Sequence, residues 1–273
     1  MALVADMPFL HTNGIRLSYQ RSGQGDRVLM IIGTGAGGHA WTMHQTPALN
    51  RAGYETVVFD NRGIPPSDAP VDKYSLADMV ADTTGLIEEL GLAPCRIVGS
   101  SLGATIAQEL AIDHPHLVRC AVLIATRARA DAARRAQTAA ERALLESGIR
   151  LPAEYESAKR VFDMLSPATL NDDAVVASWL ELFALASARR DITPGQAWID
   201  NDTDRSERLR AVATPCRVVA FTDDLITPPH LGAEVAEAIP DCDYVEIPDA
   251  GHLGHLEKPE ELNATIIEFL DGH

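Results

Sequence analysis

The sequence predicts an α/β protein whose sheet is mostly parallel and is covered by helices on both faces. Short apolar runs, typical of strands buried on both faces, recur along the 273 residues. Amphipathic stretches, typical of helices, separate most of these runs. Between about residues 127 and 200 the strand-like runs stop, which predicts a helical insertion into an α/β core.

The first elements are a hairpin, a buried strand and a helix. FLHT and IRLSYQ flank Asn13-Gly14, a strong signal for a two-residue hairpin turn. A second turn at residues 23–26 precedes the apolar strand VLMII (28–32) and the glycine-rich loop GTGAGG. A helix near Trp41 to Ala52 and the buried strand ETVVFD (55–60) follow.

The middle of the chain alternates strand and helix, as expected of a parallel sheet. After the loop NRGIPPSDAP, Ser75 can cap a helix that has Asp78 in its first turn and runs to about Leu90. The strand CRIVG (95–99), the helix LGATIAQELAIDHP and the strand CAVLIAT (120–126) complete this part.

Three amphipathic helices then predict a helical insertion at 127–200, between two parts of one core, 1–126 and 201–273. Their sequences are ARADAARRAQTAAERALLESG, AEYESAKRVFDML and DDAVVASWLELFALASARR. Strand character returns at CRVVAFT (216–222) and CDYVEI (242–247), and a last helix covers about 257–270.

The composition limits the partners and the compartment. With 23 Lys and Arg against 39 Asp and Glu, the formal net charge is −16, which argues against nucleic acid and anionic membranes as partners. The N-terminus has no basic region before an apolar core, and no run of about 18 apolar residues occurs. We therefore expect a cytoplasmic protein that binds no membrane.

The four cysteines are far apart, and each begins an apolar run. This placement predicts core thiols and a reducing compartment, with neither disulfides nor a metal site. The residues are Cys95, Cys120, Cys216 and Cys242.

A candidate nucleophile lies in IVGSSLGA, where residues 99–103 match G-x-S-x-G and select Ser101. Alone, the match also fits an ordinary turn from strand to helix. A buried strand directly before it and a helix directly after it are, however, the setting of a nucleophile elbow. Such a sharp turn strains the backbone of the nucleophile and places the helix N-terminus beside a developing oxyanion. Ser100 lacks flanking glycines and is interpreted as a packing residue.

An activated serine needs a base and a carboxylate that orients it. His252 lies in the loop after CDYVEI, and His255 is its rival three residues later. Asp223 and Asp224 directly follow CRVVAFT, although both could instead cap the helix that begins near Pro228. The residues alone do not decide between His252 and His255, nor whether Asp223 and Asp224 have a catalytic or a capping role.

Five segments in order resemble the α/β-hydrolase superfamily: IIGTGAGGHAW, FDNRGIPPSD, GSSLGATIAQELAIDHP, FTDDLITPP and AGHLGHLEKPEE. The resemblance implies a mostly parallel eight-stranded sheet flanked by helices, with the insertion as a helical cap that closes the pocket. It implies that Ser101, Asp224 and His252 form the catalytic triad, in that chain order. The last segment is similar to the family's G-H-x-x-x-x-E-x-P ending through His252, Glu257 and Pro259.

The chain departs from the family pattern in two places. Ile32-Gly33 stands where the family usually has His-Gly, and Pro65 stands where it usually has glycine. By the same alignment, the backbone N–H groups of Thr34 and Leu102 form the oxyanion hole. The loop is also rich in glycine, which favours close approach of the backbone to a substrate or a mobile loop.

The resemblance implies a serine hydrolase that cleaves an ester or thioester of a small, largely apolar molecule, without cofactor or metal. Gly33, Gly35, Trp41 and Trp179 are the candidate substrate contacts, although packing also explains aromatic residues in the cap. The serine at the elbow argues against haloalkane dehalogenases and epoxide hydrolases. The alternatives are a lyase or C–C hydrolase with His252 as base, and a non-catalytic receptor. The sequence does not decide the oligomeric state, and a homodimer is possible.

Overall fold

The computed structural model describes residues 8–188, 194–200 and 202–273. It contains one eight-stranded sheet, in the order β1-β2-β4-β3-β5-β6-β7-β8. The strands are β1 (Phe9–Thr12), β2 (Ile15–Gly23), β3 (Asp26–Ile31), β4 (Tyr54–Phe59), β5 (Cys95–Ser100), β6 (Val118–Ile124), β7 (Cys216–Phe221) and β8 (Cys242–Ile247). The predicted eight-stranded α/β fold is confirmed.

Eleven α-helices lie in the described part of the chain. They are α1 (Gln45–Arg51), α2 (Leu76–Glu89), α3 (Leu102–Asp113), α4 (Ala132–Ser147), α5 (Ala153–Met164), α6 (Pro167–Leu170), α7 (Asp173–Ala188), α8 (Ser206–Leu209), α9 (Pro229–Ala238), α10 (Gly254–Glu257) and α11 (Pro259–Asp271). Short 3₁₀ helices cover Gly38–Met43, Pro115–Leu117 and Pro194–Trp198. None of the helices described is long and apolar enough to cross a bilayer.

The strand pairing brings the predicted site loops to one edge of the sheet. β1 and β2 form the predicted hairpin around Asn13 and Gly14, which both have positive φ. β2 is antiparallel to β4, and all pairs from β4 through β8 are parallel. The loops that follow the parallel strands therefore emerge together at the carboxyl edge, where α/β proteins bind ligands.

Two apolar clusters cover the two faces of the sheet. Along β3, Leu29 and Ile31 belong to one cluster, whereas Val28 and Met30 belong to the other. This alternation with a period of two explains why VLMII reads as a continuous apolar run, since both faces of the strand are buried.

The local signals for α2 and the core thiols agree with the structure. Asp78 and Ser75 form a reciprocal capping box at the start of α2. All four cysteines are free, and three of them are buried. Burial raises the pKa of Cys95 to about 12 and that of Cys120 to about 11, so both thiols stay protonated and unreactive.

One predicted helix is divided. Where a single helix was expected near Trp41 to Ala52, the chain forms a 3₁₀ helix and then α1, with the break at His44. His44 has φ −135° and ψ −50°, outside the helical region, so the regular hydrogen bonding stops there.

The helical segment, residues 127–200, contains only helices and loops wherever the structure describes it. Val161, Leu165 and Phe183 form a small core of its own, with Trp179 packed against them. The segment also contacts the loops at the carboxyl edge of the sheet, because the Leu253 N–H donates to the carbonyl of Met164.

Candidate active site

Ser101 occupies a strained turn between β5 and α3. Its φ of 54° and ψ of −117° lie in a region that residues with a side chain rarely adopt. The turn is closely packed, since a Cβ at Gly99 would lie 2.5 Å from the carbonyl oxygen of Gly103. A Cβ at Gly103 would lie 2.0 Å from that of Ile31, so neither position accepts a side chain. The two glycines thus permit the elbow that presents Ser101.

Ser101, His252 and Asp224 are linked by hydrogen-bonding distances. His252 Nε2 lies 3.2 Å from Ser101 Oγ, and Nδ1 lies 2.8 Å from Asp224 Oδ2. Asp224 and His252 are both buried. A nucleophile, a base and an orienting carboxylate at these distances make up the arrangement that activates a serine.

The loop after β7 orients the Asp224 carboxylate. Oδ1 accepts hydrogen bonds from the backbone N–H groups of Ile226 at 2.8 Å and Thr227 at 2.9 Å. Oδ2 accepts from Thr227 Oγ1 at 2.7 Å and faces His252. Asp223 instead uses its backbone N–H to pair with the carbonyl of Ala250. Of the two neighbouring aspartates, Asp224 therefore meets the histidine.

His255 is a core residue. It is buried, and its ring centroid lies 5.4 Å from that of Trp41. Burial lowers the pKa of His255 to about 3, so the ring stays neutral at ordinary pH. Of the two histidines in this loop, His252 is the one that reaches Ser101.

Glu257 connects the His252 loop to the helical segment. Its Oε2 accepts from the Gly251 N–H at 2.7 Å. Its Oε1 accepts from both the N–H and the hydroxyl of Ser166, at 2.9 and 2.8 Å. The family motif included Glu257 but did not indicate its role. In the structure Glu257 links the loop that carries His252 to the helical segment by hydrogen bonds.

The glycine-rich loop passes beside the nucleophile. A Cβ at Gly33 would lie 3.0 Å from the Cβ of Ser101, so glycine permits this close approach. Thr34 and Ser101 line the same cavity. Leu102 is the first residue of α3, so its N–H has no acceptor one turn earlier in that helix. These positions suit the two predicted oxyanion-hole donors.

Side chains from distant segments hold the glycine-rich loop. Gln196 Oε1 accepts from the Gly35 N–H at 2.8 Å, and Gln196 Nε2 donates to the Arg62 carbonyl at 2.9 Å. Asn61 Nδ2 donates to the Ile32 carbonyl at 3.1 Å. The loop therefore has side-chain supports although the family's usual histidine is missing.

A cavity of about 50 Å³ adjoins Ser101, roughly the space of one or two water molecules. Its wall includes Thr34, Thr227, Arg127 and Arg134. The sequence analysis missed both arginines. Arg127 carried a usable signal, because it follows the carboxyl end of a predicted strand, whereas Arg134 carried none.

Two of the predicted substrate contacts lie away from this cavity. Trp41 is fully buried in the core on one face of the sheet, because its ring fills space beside His255. Trp179 packs on Phe183 with ring centroids 5.4 Å apart, so it stabilises the helical segment. Gly35 contacts Gln196, and Gly33 alone of the four adjoins Ser101. In the described residues, no group of three His, Cys, Asp or Glu side chains is placed to hold a metal ion.

The chain is similar to bacterial proteins with provisional enzyme names. It is 45% identical over 258 residues to the Mycobacterium tuberculosis protein provisionally named non-heme bromoperoxidase BpoC, covering 93% of this chain and 97% of that one. It is 27% identical over 270 residues to the Azorhizobium caulinodans protein provisionally named carbamate hydrolase RutD, covering 96% and 98%.

Solved structures and family models agree with this likeness. The structure of Rv0554 from Mycobacterium tuberculosis matches with a TM-score of 0.90 and 44% identity, covering 94% of each chain. The family model described as the alpha/beta hydrolase fold matches residues 26–259. Because that match spans most of the chain and the geometry of the elbow agrees with it, the protein belongs to the α/β-hydrolase family.

Proposed function

We propose that the protein is a serine hydrolase that cleaves esters or thioesters through an acyl-enzyme on Ser101. The observation that carries this proposal is the hydrogen-bonded series from Ser101 through His252 to Asp224. Its location at the carboxyl edge of the sheet, beside the glycine-rich loop, supports the same conclusion.

The side chains and backbone groups of the site then have defined roles in the reaction. Ser101 Oγ attacks the carbonyl carbon while His252 Nε2 takes the hydroxyl proton. The N–H groups of Thr34 and Leu102 hold the negative oxygen of the tetrahedral intermediate. His252 next gives its proton to the leaving alcohol or thiol, and then activates the water that releases the acid. Asp224 holds the imidazole and stabilises its positive charge.

The contact between serine and histidine favours hydrolysis over elimination. In an elimination, a carbon-bound proton of the substrate would have to approach His252 Nε2. Ser101 Oγ already lies 3.2 Å from that nitrogen, where the acyl-transfer reaction needs it. A lyase would require the substrate to displace this contact.

The names of the relatives fit the same covalent intermediate. A carbamate hydrolase also attacks a carbonyl carbon. If hydrogen peroxide replaced water as the acceptor, the acyl-enzyme would release a peracid and regenerate the serine hydroxyl. We propose water as the acceptor, and peroxide can be compared with it in one assay on an acetate ester.

The proposal is tested by measuring intact mass after treatment with a fluorophosphonate. We expect one adduct on the wild type, none on Ser101→Ala and very slow labelling of His252→Ala. Ser100→Ala is the matched control, because Ser100 is the buried neighbour on β5 and should leave labelling intact. An unlabelled wild type, or a labelled Ser101→Ala, would overturn the assignment.

A further inference from the structure

The loop that carries His252 is attached to the sheet core on one side and to the helical segment on the other. The carbonyl of Ala250 accepts a hydrogen bond from the Asp223 N–H at 3.0 Å, which holds the loop to the end of β7. The N–H of Leu253 donates to the carbonyl of Met164 at 3.2 Å, which holds the loop to the end of α5. His252 therefore lies between an attachment to the core and an attachment to the helical segment.

Gly251, the residue before the base, packs directly on the backbone of the helical segment. A Cβ at Gly251 would lie 2.6 Å from the carbonyl oxygen of Met164 and 2.9 Å from the backbone nitrogen of Ser166. Backbone atoms cannot turn aside as a flexible side chain can, so the close approach requires glycine. We call residues 164–169 the contact segment. Its position limits where the backbone beside His252 can lie.

The carboxylate of Glu257 joins this glycine to the contact segment. Oε2 accepts from the Gly251 N–H at 2.7 Å. Oε1 accepts from the N–H and the hydroxyl of Ser166 and from the hydroxyl of Thr169, at 2.9, 2.8 and 2.5 Å. Hydrogen bonds to a charged acceptor are roughly twice as strong as those between neutral groups. One side chain thus holds the backbone beside His252 against the start of α6.

The contacts within the triad orient the ring of His252 but leave the position of its backbone to the loop. Nδ1 lies 2.8 Å from Asp224 Oδ2, and Nε2 lies 3.2 Å from Ser101 Oγ. The second distance is already long for a hydrogen bond, so little further displacement of the base is tolerated. A misplacement of about 1 Å can cost about 10²-fold in rate. The attachments of the loop therefore decide whether the base stays within reach of the nucleophile.

We infer that Glu257 is a positioning residue, which fixes the His252 loop to the contact segment so that the imidazole reaches Ser101 only while that segment is seated on the sheet edge. This inference rests on the proposed hydrolase function and deepens it. Glu257 acts through the backbone of Gly251 and does not touch the reacting atoms. The helical segment then helps to activate the nucleophile, and a movement of the contact segment away from the sheet withdraws the base.

The rate of fluorophosphonate labelling of Glu257→Gln tests the inference, because the reagent reports an activated serine without turnover of a substrate. The amide nitrogen of the glutamine must face the N–H of either Gly251 or Ser166, and neither group can accept a hydrogen bond. We expect the labelling rate and the kcat for a thioester to fall about 10- to 100-fold, with a smaller change in KM. Thermal unfolding, measured in parallel, should show that the variant is folded.

A second variant tests the path from the helical segment through Glu257 to the base. Ser166→Ala removes one hydroxyl donor to the carboxylate and should slow labelling by about 2- to 10-fold. In the Glu257→Gln background the same change should have little further effect, because both changes act on one contact. Glu260→Gln is the matched control, since it removes the same charge from an exposed position in the first turn of α11. It should label at the wild-type rate.

The inference and the hydrolase function fail in different ways. If a folded Glu257→Gln protein labels as fast as the wild type, the positioning role is wrong and the hydrolase function stands. A normal labelling rate with only a raised KM would have the same meaning, since Glu257 would then serve substrate binding alone. Full additivity of Ser166→Ala and Glu257→Gln would contradict the path through the carboxylate. A wild type that is not labelled would overturn the hydrolase function and this inference with it.

Discussion

Replacing Asp224 by asparagine should nearly abolish catalysis while preserving the fold. The two backbone N–H groups that reach Oδ1 need an acceptor, so the side-chain oxygen of the asparagine should stay there. The amide nitrogen then takes the place of Oδ2, 2.8 Å from His252 Nδ1. Because this nitrogen donates, the ring must accept at Nδ1 and carry its proton on Nε2.

A histidine protonated at Nε2 cannot take the proton of Ser101. In a well-studied serine protease with the same triad, replacing the aspartate by asparagine lowers kcat by about 10⁴. We expect a loss of similar size here. The lost charge-assisted hydrogen bond should lower the free energy of unfolding by about 1–3 kcal/mol.

The assay is the hydrolysis rate of a neutral thioester, with thermal unfolding followed in parallel. Asp223→Asn is the matched control, because its carboxylate does not bind His252, and its rate should stay close to that of the wild type. A fall of less than about tenfold in a folded Asp224→Asn protein would refute the tautomer mechanism, since orientation by the carboxylate would then matter little.

Two further predictions concern the surroundings of the site. Gln196→Ala removes the hydrogen bond to the Gly35 N–H and should displace the loop that carries the oxyanion donors. We expect steady-state kinetics to show kcat lowered by about 10- to 100-fold, with a smaller effect on KM. An unchanged kcat would mean that Asn61, which donates to the Ile32 carbonyl, and the rest of the loop hold the oxyanion donors in place without Gln196. His255 should make the free energy of unfolding fall with acid, because its pKa is about 3 when folded but near 6.5 when unfolded. Between those values the loss is up to about 1.4 kcal/mol per pH unit, and His255→Leu, measured by urea unfolding, should show a shallower slope.

The fold was predictable because its signals are local. A buried parallel strand is a short apolar run, and a capped helix carries Ser75 and Asp78 three residues apart. The elbow was equally visible, since Gly99 and Gly103 flank Ser101 within five residues. Each of these features depends on neighbouring residues, so one stretch of sequence is enough to indicate it.

The choice between close rivals depended on packing. His252 and His255 stand three residues apart in one loop, and neither composition nor periodicity separates them. In the structure α10 begins at Gly254 and buries His255 against Trp41, whereas His252 points to Ser101. The direction in which each imidazole ring points depends on how the core packs around it, and a local sequence pattern does not contain that information.

The order of strands and turns thus indicated where chemistry could occur, because parallel strands end at one edge of the sheet. The residues that shape the chemistry required tertiary contacts. Gln196 reaches Gly35 across 161 positions, and Glu257 reaches Ser166 across 91. Arg127 and Arg134 meet at the cavity only because the helical segment folds onto the sheet edge. Such contacts join residues far apart in the chain, so their partners follow from the folded structure alone.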